Sequence, residues 1–165
     1  RGGLGYEKHI RMLKDAHFMS IADRSILACW GVKGGKAGRP FSVVLDPGGP
    51  NEREFDALTD AEPIKAGEVV RIRTTGGGGW GDPLERPIEE VLRDIQWRKV
   101  SVEGARDDYG VVVIDGDEPS VDEAATTELR DQLRSERGEN EPFFDRGPGY
   151  AQLSGGATSA VYDYV

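Results

Sequence analysis

The residues with the clearest chemical potential form a glycine-rich run, Gly76-Gly77-Gly78-Gly79-Trp80-Gly81-Asp82-Pro83. Glycine loses more conformational freedom on folding than any other residue, so four in succession indicate positive φ or close backbone approach. Successive amides in such a loop can form a nest for a phosphate or carboxylate, and a helix beginning near Pro87 would add its positive end. In this interpretation the four glycines bind the anion and Asp82 is a polar handle. The alternative is a structural crossover pinned by Trp80, and composition alone favours neither.

A second glycine-rich cluster occupies residues 30–39, with the sequence WGVKGGKAGR. Its Gly35-Lys36 pair invites comparison with the phosphate-binding P-loop, G-x-x-x-x-G-K-[ST]. The comparison fails twice, because Trp30 stands where the first glycine is required and Ala37 where a hydroxyl residue is required. ATP binding through a P-loop is therefore not predicted, and the basic residues favour a solvated hairpin over an anion site.

Other candidate residues give weaker signals. Asp23-Arg24 can be a structural ion pair or part of a ligand pocket. His9 and His17 would need a carboxylate to complete even a minimal metal site, and histidines without motif spacing are more often ordinary residues. Cys29 lies between apolar residues and Trp30, where a thiol is expected to be buried and inert. The sequence contains no Gly-x-Ser-x-Gly elbow for a serine nucleophile.

The elements that must position these residues begin with predicted β-strands. Residues 6–13 and 16–22 flank Lys14-Asp15, which predicts a hairpin with a tight turn. Residues 41–45 and 69–74 are rich in Val and Ile and predict two more strands. Between them, residues 46–68 contain three prolines and several acidic side chains, which predicts an exposed loop.

Helices are predicted after Pro83. Apolar residues then recur at helical spacing, at Ile88, Val91, Leu92 and Ile95. Pro87 suits the first helical position of this helix. Ser101 is predicted to cap a second helix that Gly110 ends, followed by a strand over residues 111–114.

A third helix is predicted after residue 120. Ser120 and Glu123 have the spacing of a capping box, and Gly138 is the predicted stop. Its apolar face is thin, which favours docking on a surface over filling a core.

Length and charge exclude several function classes. The chain has 165 residues and a net charge of −9, of which residues 115–165 carry −8. The acidic balance argues against a general nucleic-acid binder. No apolar run approaches the roughly 20 residues of a membrane span. A single cysteine excludes an internal disulfide and fits the reducing cytoplasm.

The predicted fold class is α+β, with a β-rich N-terminal part, glycine-rich loops, two or three helices and an extended C-terminal arm. We expect residues 1–114 to form one domain and residues 115–165 an acidic helix with the arm. Residues 139–165 lack periodicity but carry several aromatic side chains, Phe143, Phe144, Tyr150, Tyr162 and Tyr164. An arm lying along a partner chain and plain disorder remain alternatives.

The order of the motifs resembles the C-terminal third of the hydantoinase B/oxoprolinase family. The matching segments are Arg1-Gly2-Gly3-Leu4-Gly5, Asp23-Arg24, Trp30-Gly31, Gly34-Gly35, the run 76–83 and Glu85-Arg86. They continue through Val100-Ser101-Val102-Glu103, Ala105-Arg106 and Asp108-Tyr109-Gly110-Val111-Val112. The similarity covers about residues 1–114, so the upstream two-thirds of such a subunit are expected to be missing or on a separate chain.

The resemblance implies part of the B-type subunit of an ATP-dependent, multi-subunit enzyme. In that family an A-type subunit with an actin-like ATPase fold phosphorylates the substrate, and the B-type subunit completes the reaction. The substrate is a cyclic amide such as a hydantoin or 5-oxoproline, or, in the ketone carboxylase branch, an enolisable ketone joined to bicarbonate. ATP and Mg²⁺ are expected on the A-type partner, with no cofactor, nucleic acid or membrane bound by this chain. The alternative is a non-catalytic assembly module that docks the A-type subunit.

Carried onto this sequence, the resemblance favours Asp23, Arg24 and Asp82 as catalytic residues and assigns no metal ligand. The amides of Gly76, Gly77, Gly78 and Gly79 would hold a phosphorylated intermediate, and Arg24 would pair with its charge. If the loop is functional, Gly78→Val is expected to abolish turnover and leave the fold largely intact. Loss of the fold would instead favour the structural interpretation.

Overall fold

The computed structural model describes residues 1–114, 116, 119–137 and 143–155. The strands β1 to β10 are, in chain order, Glu7–Arg11, Ala16–Ile21, Gly31–Val32, Ser42–Leu45, Arg53–Phe55, Leu58–Ile64, Val69–Arg73, Val113–Ile114, Ser120–Val121 and Phe144–Asp145. The α-helices α1 to α4 are Ile88–Gln96, Val102–Tyr109, Glu123–Arg137 and Pro148–Ser154, and a 3-10 helix spans Pro83–Glu85. The predicted α+β class is confirmed.

The described residues divide into two compact units. The sheet unit comprises residues 2–31, 37–79 and 146–155, and the helical unit comprises residue 1, residues 32–36 and the described part of residues 80–145. In the described part of the chain, no helix has the combined length and hydropathy needed to cross a bilayer.

In the sheet unit the first two strands pair with later strands and not with each other: β1 pairs with β7, and β2 pairs with β6. Its four-stranded sheet has the order β1-β7-β4-β5, and β2 pairs with β6 in a separate two-stranded ribbon. The predicted hairpin between the first two strands is therefore wrong, although both strands are present. The reason lies in the turn between them, where the Asp15 carboxylate accepts hydrogen bonds from the Ala66 amide and the Lys65 ammonium, each at 2.9 Å. These bonds hold the β1–β2 turn against the β6–β7 turn. As a result β1 pairs with β7, and β2 pairs with β6.

The core of the sheet unit lies on one face of the larger sheet. Its buried side chains come from β4, β5, β6 and β7 and are Val43, Leu45, Phe55, Ile64 and Val70. The Phe18 ring of β2 stacks on the Phe55 ring, with 5.4 Å between the ring centroids. The predicted strands at 41–45 and 69–74 thus supply much of the core, because their Val and Ile side chains fit a half-buried pleated surface.

Residues 46–68 do not form the predicted loop, because β5 and β6 lie within them. In the described part of the chain β6 pairs with β2 alone, and such an edge strand tolerates a proline that a central strand excludes. Pro63 lies opposite His17, the register shifts between Phe18 and Ser20, and Ala61 has a positive φ of 55°. Composition therefore predicted a loop where an irregular strand forms.

The helical unit follows the predicted helices closely. Val91 of α1, Ala105 of α2 and Val111 are fully buried together. Pro87 is the N-cap of α1, one position before the predicted place. The Ser101 hydroxyl accepts the Gly104 amide at 3.0 Å, and α2 ends at Gly110 with φ of 60°. Those two predictions are confirmed.

The N-terminus of α3 differs from the predicted capping box. Ser120 belongs to β9, and the Asp122 carboxylate instead accepts the Ala125 amide at 2.9 Å. The Thr126 hydroxyl, fully buried, accepts the Val112 amide at 3.0 Å. Strand pairing of Ser120 with Ile114 moves the helix start two residues later than the Ser/Glu spacing predicted. The predicted stop at Gly138 lies outside the described residues.

Asp122→Ala is expected to lower the free energy of unfolding of the helical unit by about 1 kcal/mol, because it removes the N-cap acceptor of α3. Ser120→Ala is the control and should change it by less than about 0.5 kcal/mol, as surface substitutions do. Urea unfolding followed by circular dichroism measures both. A larger effect for Ser120 than for Asp122 would contradict this assignment.

The described part of the predicted arm contains two short elements. β10 pairs with β3, and the Lys33 amide donates to the Phe143 carbonyl at 2.8 Å. α4 follows Gly147, and the Arg146 guanidinium lies between two rings, 5.1 Å from the Trp30 centroid and 4.5 Å from that of Tyr150. Residues 143–155 are thus held by backbone and aromatic contacts. The predicted aromatic residues Tyr162 and Tyr164 lie outside the described residues.

Candidate functional site

The glycine run leaves the end of β7 and packs against other backbone segments of the sheet unit. The Gly76 amide donates to the Arg39 carbonyl at 3.3 Å, and the Gly77 amide donates to the Gly3 carbonyl at 2.9 Å. Two of the four amides are therefore occupied by protein carbonyls. The amides of Gly78 and Gly79 have no hydrogen-bond partner among the described residues. Any anion held by the run would contact these last two.

Close backbone approach explains why glycine fills these positions. A Cβ added to Gly78 would lie 1.7 Å from the Trp30 carbonyl oxygen, a distance that no side chain permits. A Cβ at Gly2 would lie 2.1 Å from the Gly77 oxygen, and one at Gly38 would lie 2.2 Å from the Gly76 oxygen. The left-handed backbone in this region falls at Gly81, with φ of 80°, outside the four glycines. The sequence indicated that the four glycines need either a positive φ or close backbone approach. In the structure the reason is close backbone approach.

Asp82 is positioned in the helical unit by two groups. Its Oδ1 accepts the Leu84 amide at 2.8 Å, which caps the 3-10 helix. The Arg137 guanidinium at the end of α3 lies 3.1 Å from both carboxylate oxygens. About a quarter of the Asp82 side chain is exposed. In this arrangement Asp82 connects the 3-10 helix to α3.

Asp23 and Arg24 lie in an exposed bend after β2, in the same unit as Gly76–Gly79. Arg24 has a left-handed φ of 66°, and its carbonyl accepts the Phe41 amide at 2.8 Å. Its Nη1 makes one long hydrogen bond, 3.4 Å, to the Ala28 carbonyl. Among the described residues no ion pair joins Asp23 to Arg24, and no hydrogen bond joins either to the glycine run. The exposed Arg24 residue is thus anchored mainly through its backbone, with the long bond to Ala28 as the hydrogen bond of its guanidinium.

The remaining candidates offer little chemistry. Lys33 lies over the exposed Trp80 ring, 5.3 Å from its centroid. His9 is bound to Glu7 at 2.6 Å, and His17 is exposed. Cys29, predicted to be buried, is half-buried and free. Within the described ranges, no three His, Cys, Asp or Glu side chains are grouped to hold a metal ion.

A buried charge cluster in the helical unit was missed from the sequence. Asp94 on α1 is 3% exposed and accepts Arg1 Nε at 2.9 Å and Arg86 Nη2 at 2.8 Å. Burial alone would raise the pKa of Asp94, but the hydrogen bond and charge of Arg1, together with the Arg86 charge, lower it below the usual value. The available signal was the position of Asp94, three residues after Val91 on the apolar side of the helix.

Three known proteins show what the chain is similar to. An uncharacterized protein of Methanocaldococcus jannaschii is 37% identical over 79% of this chain and 23% of its own length. The caprolactamase subunit beta of Pseudomonas jessenii is 38% identical over 76% of this chain and 22% of its own length. The acetone carboxylase alpha subunit of Xanthobacter autotrophicus is 29% identical over 83% and 22%, respectively.

A solved structure agrees with these relatives. The crystal structure of the ATP-dependent caprolactamase from Pseudomonas jessenii matches with a TM-score of 0.61 and 33% identity, over 77% of this chain and 22% of that chain. This chain therefore spans less than a quarter of the length of these relatives. The family model for hydantoinase B/oxoprolinase matches residues 1–83, half of the chain. The chain belongs to the hydantoinase B/oxoprolinase family.

Proposed function

We propose that this chain is the C-terminal portion of the B-type subunit of an ATP-dependent, multi-subunit enzyme that hydrolyses a cyclic amide. The observation that carries the proposal is the combined similarity to caprolactamase, 38% identity to its subunit beta and a TM-score of 0.61 to the ATP-dependent enzyme. The substrate would be a hydantoin, 5-oxoproline or a related lactam. The chain alone is expected to be inactive, since it spans 22% of that relative.

The proposal assigns ATP and Mg²⁺ to an A-type ATPase subunit. The described residues of this chain offer no group of three metal-binding side chains that fits the ion. When bound to the partner, the nucleotide would supply the phosphoryl group that activates the substrate carbonyl. The task left to the B-type subunit would be to hold the phosphorylated intermediate through its anionic phosphoryl group.

Within this chain, Arg24 is the residue best suited to hold such an anion. The Arg24 residue is exposed, and its guanidinium is always charged and able to bind an oxyanion through two parallel hydrogen bonds. Of the four amides of Gly76–Gly79, in the same unit, those of Gly78 and Gly79 have no acceptor among the described residues. Asp23 is placed beside Arg24 as a second polar group. Asp82 remains in the proposal as a polar handle, with its carboxylate already bound by Arg137.

Arg24→Ala is expected to lower kcat/KM of the assembled enzyme by about 100-fold to 1,000-fold, the usual loss when one preorganised donor to a reacting anion is removed. Arg98→Ala is the matched control, because both arginines are exposed and have a left-handed φ, 66° and 55°. The measurement is lactam hydrolysis coupled to ADP release, with the complex checked by native mass spectrometry. Unchanged kcat/KM in an intact complex would remove Arg24 from the proposed site.

Assays on the same purified complex distinguish the proposed hydrolase from two alternatives, a ketone carboxylase and a non-catalytic assembly module. Similarity to the acetone carboxylase alpha subunit favours a ketone carboxylase as the second candidate. ATP-dependent uptake of labelled bicarbonate with a ketone, and no lactam hydrolysis, would establish it. If Ala at Asp23, Arg24 or Asp82 dissociates the complex, the segment is an assembly module for the A-type subunit.

A further inference from the structure

The outer face of the β2–β6 ribbon carries large apolar side chains that face away from the core. In β2 the side chains alternate, so Phe18 packs inward while Met19 and Ile21 face outward. Met19 is 61% exposed and Ile21 is 80% exposed. Leu58 of β6, directly opposite Ile21 in the register, is 71% exposed. Because opposite residues on antiparallel strands lie within side-chain contact, these three form one continuous apolar patch.

The face carries few charged residues. The other pair on the same face, His17 opposite Pro63, is also exposed, and these five positions lack Asp, Glu, Lys and Arg. The exposed Asp60, two residues after Leu58, is the acidic residue beside them, where the register shifts. Single exposed apolar residues are normal, whereas a contiguous patch marks a surface that another protein segment covers. Permanent interfaces resemble a protein core and are depleted of charge, while exchangeable ones are more polar. The chemistry of the face therefore fits permanent coverage.

We propose that this face is covered by the part of the same B-type subunit that lies outside this chain. The inference rests on the proposed function. Relatives of this chain are about 3.4 times its length, since the 76–79% of the chain that aligns covers only 22–23% of them, so most of such a subunit is available to pack against the ribbon. If the A-type subunit covered the face, it would be exposed in the isolated B-type subunit, and if a second copy covered it, it would become exposed on dilution.

Met19 is a direct probe of this coverage, because methionine oxidation depends on solvent access. Trypsin places Met19 in the peptide 15–24 and Met12 in the peptide 12–14, so the two methionines are measured separately. Met12 packs against the core of the sheet unit and serves as the internal reference. The experiment treats the polypeptide that contains this sequence, purified from its own source without the A-type subunit, with dilute hydrogen peroxide.

The expected result is that Met19 oxidises about tenfold or more slowly in the native B-type subunit than in the same sample unfolded in urea. Fast oxidation of Met19 in the native subunit would overturn the proposal. Protection that appears only after the A-type subunit is added, or that is lost on dilution, would also overturn it in favour of a partner or a second copy. A polypeptide of 18.0 kDa that purifies folded and alone, with no further B-type segment bound to it, would instead defeat the proposed function itself.

Two variants test the contact between the apolar patch and the rest of the B-type subunit. Ile21→Asp places a charge in the patch without touching the core of the sheet unit, and is expected to raise the Met19 oxidation rate about fivefold or more in the native subunit. Leu13→Asp is the control, since Leu13 is 85% exposed in the turn and lies off the patch. Ile21→Ser repeats the test if the aspartate variant does not fold. Equal oxidation rates in Ile21→Asp and Leu13→Asp would contradict the contact.

Discussion

Gly78→Ala is expected to destabilise the sheet unit by about 3 kcal/mol, the upper part of the range for inserting a methyl group into a packed interior. The added Cβ would fall 1.7 Å from the Trp30 carbonyl oxygen and 3.0 Å from that of Cys29. Both neighbours are backbone atoms, so no side-chain rotation can relieve the overlap. The two segments would have to separate, with loss of the packing between them.

Gly3→Ala is the matched control for this experiment. A Cβ at Gly3 meets nothing within 4 Å, and its backbone does not adopt a left-handed φ. Replacing it should leave stability unchanged or slightly increased, because alanine restricts the unfolded chain. Thermal unfolding of both variants, read from the polypeptide that contains the chain, gives the comparison.

The same measurement separates the two interpretations of the glycine run. The functional interpretation expects a Gly78 substitution to remove turnover from a folded protein. The geometry favours loss of the fold, because the closest atoms to the new Cβ belong to the protein itself. A folded Gly78→Ala variant with normal melting temperature and no turnover would reverse this conclusion and favour the anion loop.

Local patterns predicted most elements but not their partners. The stripe of α1, the Ser101 cap and the Gly110 stop depend on residues within a few positions of one another, and all three were predicted. The pairing of β1 with β7 instead depends on how two distant turns meet, through Asp15 and the amide of Ala66. No spacing within either segment encodes that contact.

In the candidate site, too, local requirements could be predicted from the sequence, whereas contacts between distant residues could not. The sequence predicted that the glycine run needs close backbone approach or positive φ, which is a property of glycine itself. It could not predict that Trp30 supplies the opposing carbonyl, or that Arg137 binds Asp82. Both contacts join residues far apart in the chain. No helical or strand periodicity links these residues, so a single sequence does not predict either contact.

Asp94→Asn is expected to lower the free energy of unfolding of the helical unit by about 3 kcal/mol or more at neutral pH. Removing one partner of a buried ion pair leaves a charge that is only partly compensated, which is the costly case. The Arg86 side chain, 13% exposed, would keep its charge and its longer contact with the Glu90 carboxylate at 3.3 Å, while losing the Asp94 carboxylate at 2.8 Å. Arg1 would lose the same acceptor at 2.9 Å. Asp131→Asn is the control, because its ion pair with Arg134 is exposed and contributes less than about 1 kcal/mol.

The pH dependence of the difference in free energy of unfolding between wild type and Asp94→Asn shows whether the Asp94 charge causes it. Since folding lowers the pKa of Asp94, its ionised form stabilises the native state fully above the ordinary Asp range near pH 4 and progressively less below it. Urea unfolding of wild type and Asp94→Asn should therefore give a large difference at pH 7 that shrinks as the pH falls below about 4. A cost that stays constant down to pH 2 would mean that the asparagine disturbs packing rather than charge. The cluster of Arg1, Arg86 and Asp94 would then act through shape alone.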